Sequence, residues 1–318
     1  ERLEPYQPPP TGETGGSLLA GLNPQQQEAA LAVDGPLVIV AGPGTGKTRT
    51  LTYRIAYLIA QREVWPEHIL AITFTNKAAD EMKRRLLVMT GLHPDCFPWV
   101  RTYHSACLQI LKRHHSLLGF TAVPQIYQPY QQEKIVKEIL IRRNYDKKHT
   151  GAVLSQISNA KNSGHPGAYF DRHPRQGHIR LIDAYERYEA VLKAANAVDF
   201  DNILLLTRNL LRDHDAVRER YQKQFAYILC DEYQDTNDLN EEITALLLTN
   251  GNLFAVGDDW QSIYSFRMSN VGHFLSFKKK YPGARIFRLE QNYRSANEIV
   301  QLGNCVINNN ESRMEKAC

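Results

Sequence analysis

The stretch GPLVIVAGPGTGKTRTL, residues 35–51, is the part of the chain whose reading decides the fold. An apolar run from Leu37 to Val40 empties into AGPGTGKT, Ala41 to Thr48, which predicts a strand, a phosphate loop and a helix. Glycines at 42, 44 and 46 open backbone conformations closed to other residues and turn successive N–H groups inward onto a polyphosphate. The helix that follows adds its positive N-terminus. In that frame Lys47 reaches the β- and γ-phosphates as a point charge, and the Thr48 hydroxyl ligates the Mg²⁺ that bridges them. Ala41 stands where the strict pattern has its first glycine. The candidate nucleotide-binding residues of this stretch are Gly42, Gly44, Thr45, Gly46, Lys47, Thr48 and Arg49, with ATP or GTP as the ligand.

The 318 residues, 43% of them hydrophobic, suffice for a substantial core and suggest about two domains. No apolar run approaches the ~20 residues of a membrane span, and the N-terminus lacks a basic-then-apolar signal, so a cytoplasmic protein without a membrane partner is expected. Five cysteines with no CxxC pair argue against a disulfide framework or a structural zinc. The net charge of +4 points weakly to a polyanionic partner.

Residues 1–21, rich in proline and glycine, read as a flexible leader. A helix opens at Leu22, with Asn23 as cap and Pro24 at its first position. Gln26 lies on it just upstream of the phosphate loop, where a carboxamide can offer adenine both a donor and an acceptor. Ile69 to Phe74 and Trp99 to Tyr103 read as further strands, each feeding a helix, the second from near His104. Alternating strands and helices predict a parallel sheet. Residues 114–196 then show helical periodicity alone, with Ile135, Val136, Ile139 and Leu140 on one face and Leu181, Tyr185, Tyr188 and Leu192 in a second stripe. That stretch is expected to be an inserted all-helical subdomain, whose Lys147, Lys148 and Lys161 are either a solvated face or the lining of a nucleic-acid path. Strands resume at Tyr227 to Cys230, Leu253 to Val256 and Arg285 to Leu289, and a final helix is expected from Ser295. The expected α/β motor domain is therefore discontinuous, 22–113 with 197–288, and 289–318 opens a second domain.

Directly after the strand ending at Cys230 comes DEYQDTN, residues 231–237. Acidic residues at the C-terminal end of a parallel strand lie at the edge where ligands bind. Asp231 suits the outer shell of Mg²⁺, and Glu232 suits the base that orients and deprotonates the attacking water. The next strand ends in VGDDWQSIYSFR, residues 256–267, which places Gln261 to sense the γ-phosphate. Phe266 on that segment and Phe74 after the second strand offer flat faces either to core neighbours or to unpaired bases, each base stack contributing ~1–3 kcal/mol.

Taken in order, LNPQQ (22–26), AGPGTGKT (41–48), AITFTNKAADEM (71–82), RTYHS (101–105), DFDN (199–202), DEYQDTN (231–237), VGDDWQSIYSFR (256–267) and LEQNYRS (289–295) resemble the UvrD/Rep family of superfamily 1 DNA helicases. The resemblance implies a RecA-like fold, ATP and Mg²⁺ as cofactors, single-stranded DNA and duplex junctions as partners, 3′ to 5′ polarity, and a setting in DNA repair or replication. It implies that Gln26 reads adenine, Lys47 holds phosphates, Thr48 and Asp231 hold Mg²⁺, and Glu232 is the base. It further implies that Gln261 couples nucleotide to DNA, Tyr293 stacks on the adenine, Arg294 contacts the γ-phosphate, and Phe74, Asn76, His104, Tyr264 and Phe266 touch DNA. Trp260, Met268 and Asn202 depart from the family pattern, which has a small or acidic residue, a glycine and an acidic residue there. The chain is expected to be the N-terminal motor portion, ending where a second motor domain begins. An arginine supplied by such a domain is worth ~10³–10⁵ in turnover, so slow hydrolysis and no unwinding are expected of these residues alone. The alternatives are the motor part of a helicase-nuclease, and a nucleotide-gated binding module. A GTP switch is disfavoured, since no NKxD-type motif follows the acidic strand.

Overall fold

The computed structural model describes residues 18–262 and 269–307. Its main sheet has six strands: β1 (Leu37–Ala41), β2 (Ile69–Thr73), β3 (Val100–Thr102), β4 (Tyr227–Cys230), β5 (Leu253–Gly257) and β6 (Arg285–Leu289). They lie in the order β6-β1-β5-β4-β2-β3, and every neighbouring pair is parallel. Strands β1, β2 and β5 are buried along their whole length. A strand covered on both faces has no polar side to show, which is why these segments are continuous apolar runs and do not alternate. The third strand is shorter than expected. Trp99, ahead of it, packs edge-on to Phe225 at 4.9 Å, and Tyr103, behind it, already opens the next helix.

Three helices serve this sheet: α1 (Pro24–Leu31), α2 (Lys47–Arg62) and α3 (Asn76–Thr90). Helix α1 starts at a reciprocal capping box, in which the Gln26 N–H donates to Asn23 Oδ1 (2.8 Å) and the Asn23 N–H donates to Gln26 Oε1 (3.1 Å). Leu51, Ile55 and Ile59 of α2 and Met82 and Leu86 of α3 close over Leu37, Ile39, Phe254 and Val256 of the sheet.

Among the described residues the other helices of seven or more residues are α4 (Tyr103–His114), α5 (Pro129–Arg142), α6 (Thr150–Asn162), α7 (Pro166–Arg172), α8 (Leu181–Ala194), α9 (Phe200–Asp213), α10 (Asp215–Gln224), α11 (Asp238–Leu247) and α12 (Asn297–Ile307). The chain divides into two compact units. The sheet unit holds the chain up to Thr102, Arg220–Thr236, and the chain from Leu247; the helical unit holds Tyr103–Glu219 and Asn237–Leu246. Within the helical unit the two stripes read from the sequence become the core: Ile135, Val136, Ile139 and Leu140 of α5 meet Leu181, Tyr188 and Leu192 of α8, with Tyr185 packed alongside. The insertion is not purely helical. Gln125–Ile126 pairs with Ala197–Val198, and Arg175–Gln176 with Ile179–Arg180, in ladders too short to leave any alternation in the sequence. The last helix begins two residues after Ser295, because the N–H groups of Arg294 and Ser295 are first taken by Asn292 Oδ1 at 2.8 and 2.9 Å.

One expectation is corrected here. Lys161 does not lie on a nucleic-acid path or on a solvated face; its side chain is fully buried. Its Nζ reaches Asp199 Oδ2 and Glu189 Oε1, both at 2.6 Å, and Asn202 Oδ1, and sits 4.7 Å from the centre of the Tyr188 ring. Tyr188 OH donates to the same Asp199 oxygen (2.8 Å), while Asn202 Nδ2 donates to Glu189 Oε2 (2.9 Å). The departure at Asn202 thus has a physical reading: a neutral amide accepts from the lysine at one end and donates to the glutamate at the other. Among the described residues no helix is long and apolar enough to cross a membrane.

Candidate nucleotide site

Because β1, β5 and β4 are adjacent and parallel, with Val40 opposite Gly257 and Cys230 opposite Ala255, the segments that leave their C-terminal ends meet at one edge. From β1 comes the glycine loop. Gly44 and Gly46 hold φ of +73° and +86°, and Thr45 Oγ1 donates to Gly42 O at 2.8 Å. A Cβ on Gly44 would stand 2.6 Å from the Cβ of Arg294, and one on Gly46 would stand 2.6 Å from Gln26 Nε2. The cradle therefore admits no side chain at either point.

From β4 comes the acidic turn. Thr48 Oγ1 at the start of α2 donates to Asp231 Oδ2 at 2.7 Å, although 183 residues separate them. Glu232 takes a left-handed φ of +51°, unusual for a residue with a Cβ, and its carboxylate accepts from Gln234 Nε2 at 2.9 Å. Burial and the charge of Glu232 push the Asp231 carboxyl above the usual carboxylate range, against the pull of the Thr48 hydroxyl. The same two causes push Asp235 up to about 6.

From β5 comes Asp258, which is fully buried and central to the site. Its Oδ2 faces Lys47 Nζ at 3.5 Å and accepts from Gln261 Nε2 at 2.5 Å, while its N–H donates to Gln234 Oε1 at 2.8 Å. Gln234 thus ties the acidic turn to the β5 turn.

The segment after β6 closes the other side. Asn292 Nδ2 donates to Pro43 O (2.6 Å), and the Tyr293 N–H donates to Gly44 O (2.9 Å). Tyr293 OH accepts from Asn23 Nδ2 (2.8 Å) and donates to Gln291 Oε1 (2.9 Å), leaving 57% of the residue exposed. Gln26 Nε2 donates to Thr45 O at 2.8 Å, and the Arg49 guanidinium donates to Gly21 O at 2.7 Å.

These elements enclose a cavity of about 540 Å³ lined by Gln26, Gly44, Gly46, Lys47, Thr48, Arg49, Glu232, Gln261, Tyr293 and Arg294, together with Gly21, Ala78, Glu81 and Arg85. That volume lies within the range of small-molecule sites. Of the other candidates, Gly42 and Thr45 build the loop, and Asp231 sits behind Thr48. Phe74, 36% exposed, follows β2, and Asn76 Oδ1 accepts from Thr102 Oγ1 at 3.4 Å. His104 is exposed near the start of α4 in the helical unit. Tyr264, Phe266 and Met268 lie outside the described residues.

Asp258, Gln234, Asn292, Glu81 and Arg85 were not foreseen. Asp258 had a signal, an aspartate directly after an apolar strand as at Asp231. The two amides act only across turns that the fold brings together, and Glu81 and Arg85 read as an ordinary i, i+4 pair on a helix face, which they also form (3.0 Å).

The UvrD/REP helicase N-terminal domain family model matches residues 22–282. The chain is 43% identical over 310 residues to the ATP-dependent DNA helicase PcrA of Bacillus subtilis (strain 168), covering 94% of this chain and 41% of that protein. It is 40% identical over 304 residues to the PcrA of Staphylococcus aureus (strain Mu50 / ATCC 700699), covering 94% and 42%, and 40% identical over 307 residues to that of Leuconostoc citreum, covering 94% and 41%. The chain thus spans about two fifths of the length of the curated relatives it matches. Parallel sheet, phosphate loop, acidic strand end and the length of the match agree, and the chain belongs to the UvrD/REP helicase N-terminal domain family.

Proposed function

We propose that this chain binds Mg-ATP in the cavity at the sheet edge and forms the ATP-binding part of a DNA helicase motor that moves 3′ to 5′ along single strands toward duplex junctions. The observation that carries the reading is the 2.7 Å contact between Thr48 and Asp231, which pairs a phosphate-loop hydroxyl with a buried carboxylate beside Lys47. The residues fit the ligand. A glycine cradle that a Cβ would fill suits polyphosphate oxygens, and a hydroxyl with a single carboxylate is the hard-oxygen set that Mg²⁺ takes when phosphates and water complete its shell. Among the described residues no group of three or more His, Cys, Asp or Glu is placed to hold a metal unaided. When bound, Mg²⁺ supplies neutralisation of phosphate charge.

The protein's own parts then divide the work. Loop N–H groups and Lys47 hold the phosphates. Glu232, fixed by Gln234, takes the proton of the attacking water at its carboxylate, and Arg294 meets the outermost phosphate. Gln261, held by Asp258, passes the state of that phosphate to the segment that follows it. The Gln26 carboxamide has two N–H groups and two lone pairs; Thr45 O and the Asn23 N–H use one of each, leaving one of each for adenine. The exposed ring of Tyr293 stacks on the base. Phe74 and Asn76, and separately His104, Tyr264 and Phe266, contact DNA. A cytoplasmic address and slow turnover of these residues by themselves belong to the same proposal.

The test is calorimetric ATP binding with and without Mg²⁺, followed by ATPase rate with and without single-stranded DNA. Binding that needs Mg²⁺ and is lost in Lys47→Ala supports the reading. Equal affinity with and without Mg²⁺, unchanged by Lys47→Ala, sinks it.

A further inference from the structure

We propose that Arg54, remote from the nucleotide cavity, is a positioning residue for recognition of the base. It rides on α2, seven residues or two turns after Lys47, with its side chain buried and only 1% of the residue exposed. Nη1 donates to Ala29 O (3.0 Å) and Ala32 O (2.8 Å), and Nη2 donates to Val33 O (3.0 Å). Its guanidinium lies 4.3 Å from the centre of the Phe254 ring. Asp34, the carboxylate whose charge it feels, faces Arg62 at 3.6 Å instead. Arg54 is therefore a buried cation whose hydrogen bonds all go to carbonyls, with the Phe254 ring beside it and Nε left without a partner, and burial brings its pKa down to about 9. Packing alone does not call for a charge here, since an apolar side chain of similar volume fills such a space at lower cost.

What the charge does is hold one end of α1. Ala29 O belongs to the last turn, Ala32 O to the C-cap and Val33 O to the residue after it, so the guanidinium meets the end where a helix leaves carbonyls without partners, at the negative end of its dipole. At eight residues α1 is too short to persist unaided. Its other end carries Asn23 and Gln26, the side chains that meet Tyr293 and the phosphate loop. Arg285 on β6 adds an outer clamp, its Nη2 donating to Ala32 O (3.1 Å) and Asp34 O (2.7 Å). Base and phosphates are thereby referenced to one rigid element: Lys47 faces the phosphates from α2, and Arg54 on the same helix fixes the helix whose Gln26 faces the base. The inference rests on the adenine reading given above.

The test measures equilibrium dissociation constants, with Mg²⁺, for ATP, GTP and inorganic tripolyphosphate, which lacks a base. In Arg54→Met the constant for ATP rises about tenfold, the worth of one well-placed hydrogen bond, while that for tripolyphosphate stays within about twofold. The preference for ATP over GTP shrinks accordingly, and Arg54→Lys, which keeps a donor cation, restores part of it. A folded Arg54→Met whose ATP-to-GTP ratio is unchanged, or which loses tripolyphosphate as strongly as ATP, overturns the proposal and leaves Arg54 a purely structural residue. Should Arg54→Met not fold, Arg54→Lys and Arg285→Gln decide by the same ratio. A wild-type chain without preference for ATP instead refutes the adenine reading itself, and is seen before any variant is made.

Discussion

Replacing Lys161 by methionine removes the one cation of a buried network and keeps most of the side-chain volume. The lysine makes two 2.6 Å contacts to carboxylates, to Asp199 and Glu189, with side-chain exposures of 0%, 3% and 27% in turn. In the variant Asp199 keeps the Tyr188 hydroxyl and the Asn202 N–H as donors but loses its counter-ion. Taking one partner from a buried pair costs about 3–5 kcal/mol, chiefly because the remaining charge stays desolvated. Glu189, partly exposed already, turns toward water and contributes little to that sum, so the lower part of the range applies, about 3 kcal/mol. Against a total stability of about 5–15 kcal/mol, the helical unit of Lys161→Met is expected to melt roughly 10 °C below wild type. Urea unfolding followed by far-UV circular dichroism, with the buried tyrosines as a second probe, reads this directly. The double variant with Asp199→Asn should recover most of the loss, since no buried charge is then left over. A loss under about 1 kcal/mol for the single variant, or no recovery in the double, would refute the view that charge compensation holds this unit together.

Three further outcomes follow from distances already given. Asn202→Asp sets a carboxylate against Glu189 Oε2, now 2.9 Å from the amide nitrogen, and should cost about 1–3 kcal/mol in chemical denaturation, with Glu189→Gln in the same chain recovering it. Gly46→Ala places a Cβ 2.6 Å from Gln26 Nε2 at a φ of +86°, so nucleotide affinity by calorimetry should fall at least tenfold, about 1.4 kcal/mol, even where the chain stays folded. The Asp235 carboxyl, pushed up to about 6 in the folded chain, binds its proton more tightly there than in the unfolded chain. Its stabilising contribution is therefore full below pH ~4 and is lost as pH rises through about 6. Without nucleotide, wild type should lose stability relative to Asp235→Asn between pH 5 and 7, and parallel pH profiles for the two chains would contradict this.

What the sequence made legible was whatever depends on neighbours along the chain. Tyr227–Cys230 was read to the residue, because a buried parallel strand is a short apolar run with abrupt ends; Arg285–Leu289 was read with the same bounds although it is the edge strand, exposed along most of its length and buried only at Leu289. The glycine loop was legible because only glycine tolerates the φ values at 44 and 46. Lys161 was misread because a lone lysine among polar helix residues has no local mark of burial; its partners lie 28 to 41 residues further along and meet it only when α6, α8 and α9 pack. Asn292 was passed over for the same reason: its contact with Pro43 O spans 249 residues, and an amide in a polar turn gives no sign of direction. Asp258 shows the middle case: it was not foreseen although it follows an apolar strand as Asp231 does, and nothing along the chain tells that Lys47 and Gln261 share one of its oxygens.

If Lys47 holds phosphates as proposed, that shared oxygen also makes the loop a filter for charge density. The Lys47 ammonium already faces a buried counter-ion at 3.5 Å, worth several kcal/mol of gross attraction at the effective dielectric of such sites. A monovalent anion such as chloride brings no more charge than Asp258 and must itself shed water to enter, so it gains nothing by exchange. A phosphate chain brings several charges at once, together with oxygens that the loop N–H groups meet in parallel, and tips the exchange. When Lys47 turns to such an anion, Asp258 keeps Gln261 as its donor. On the proposed reading, the arrival of a polyanion would reach Gln261 as the loss of a rival for the same oxygen, before any bond in the ligand is broken.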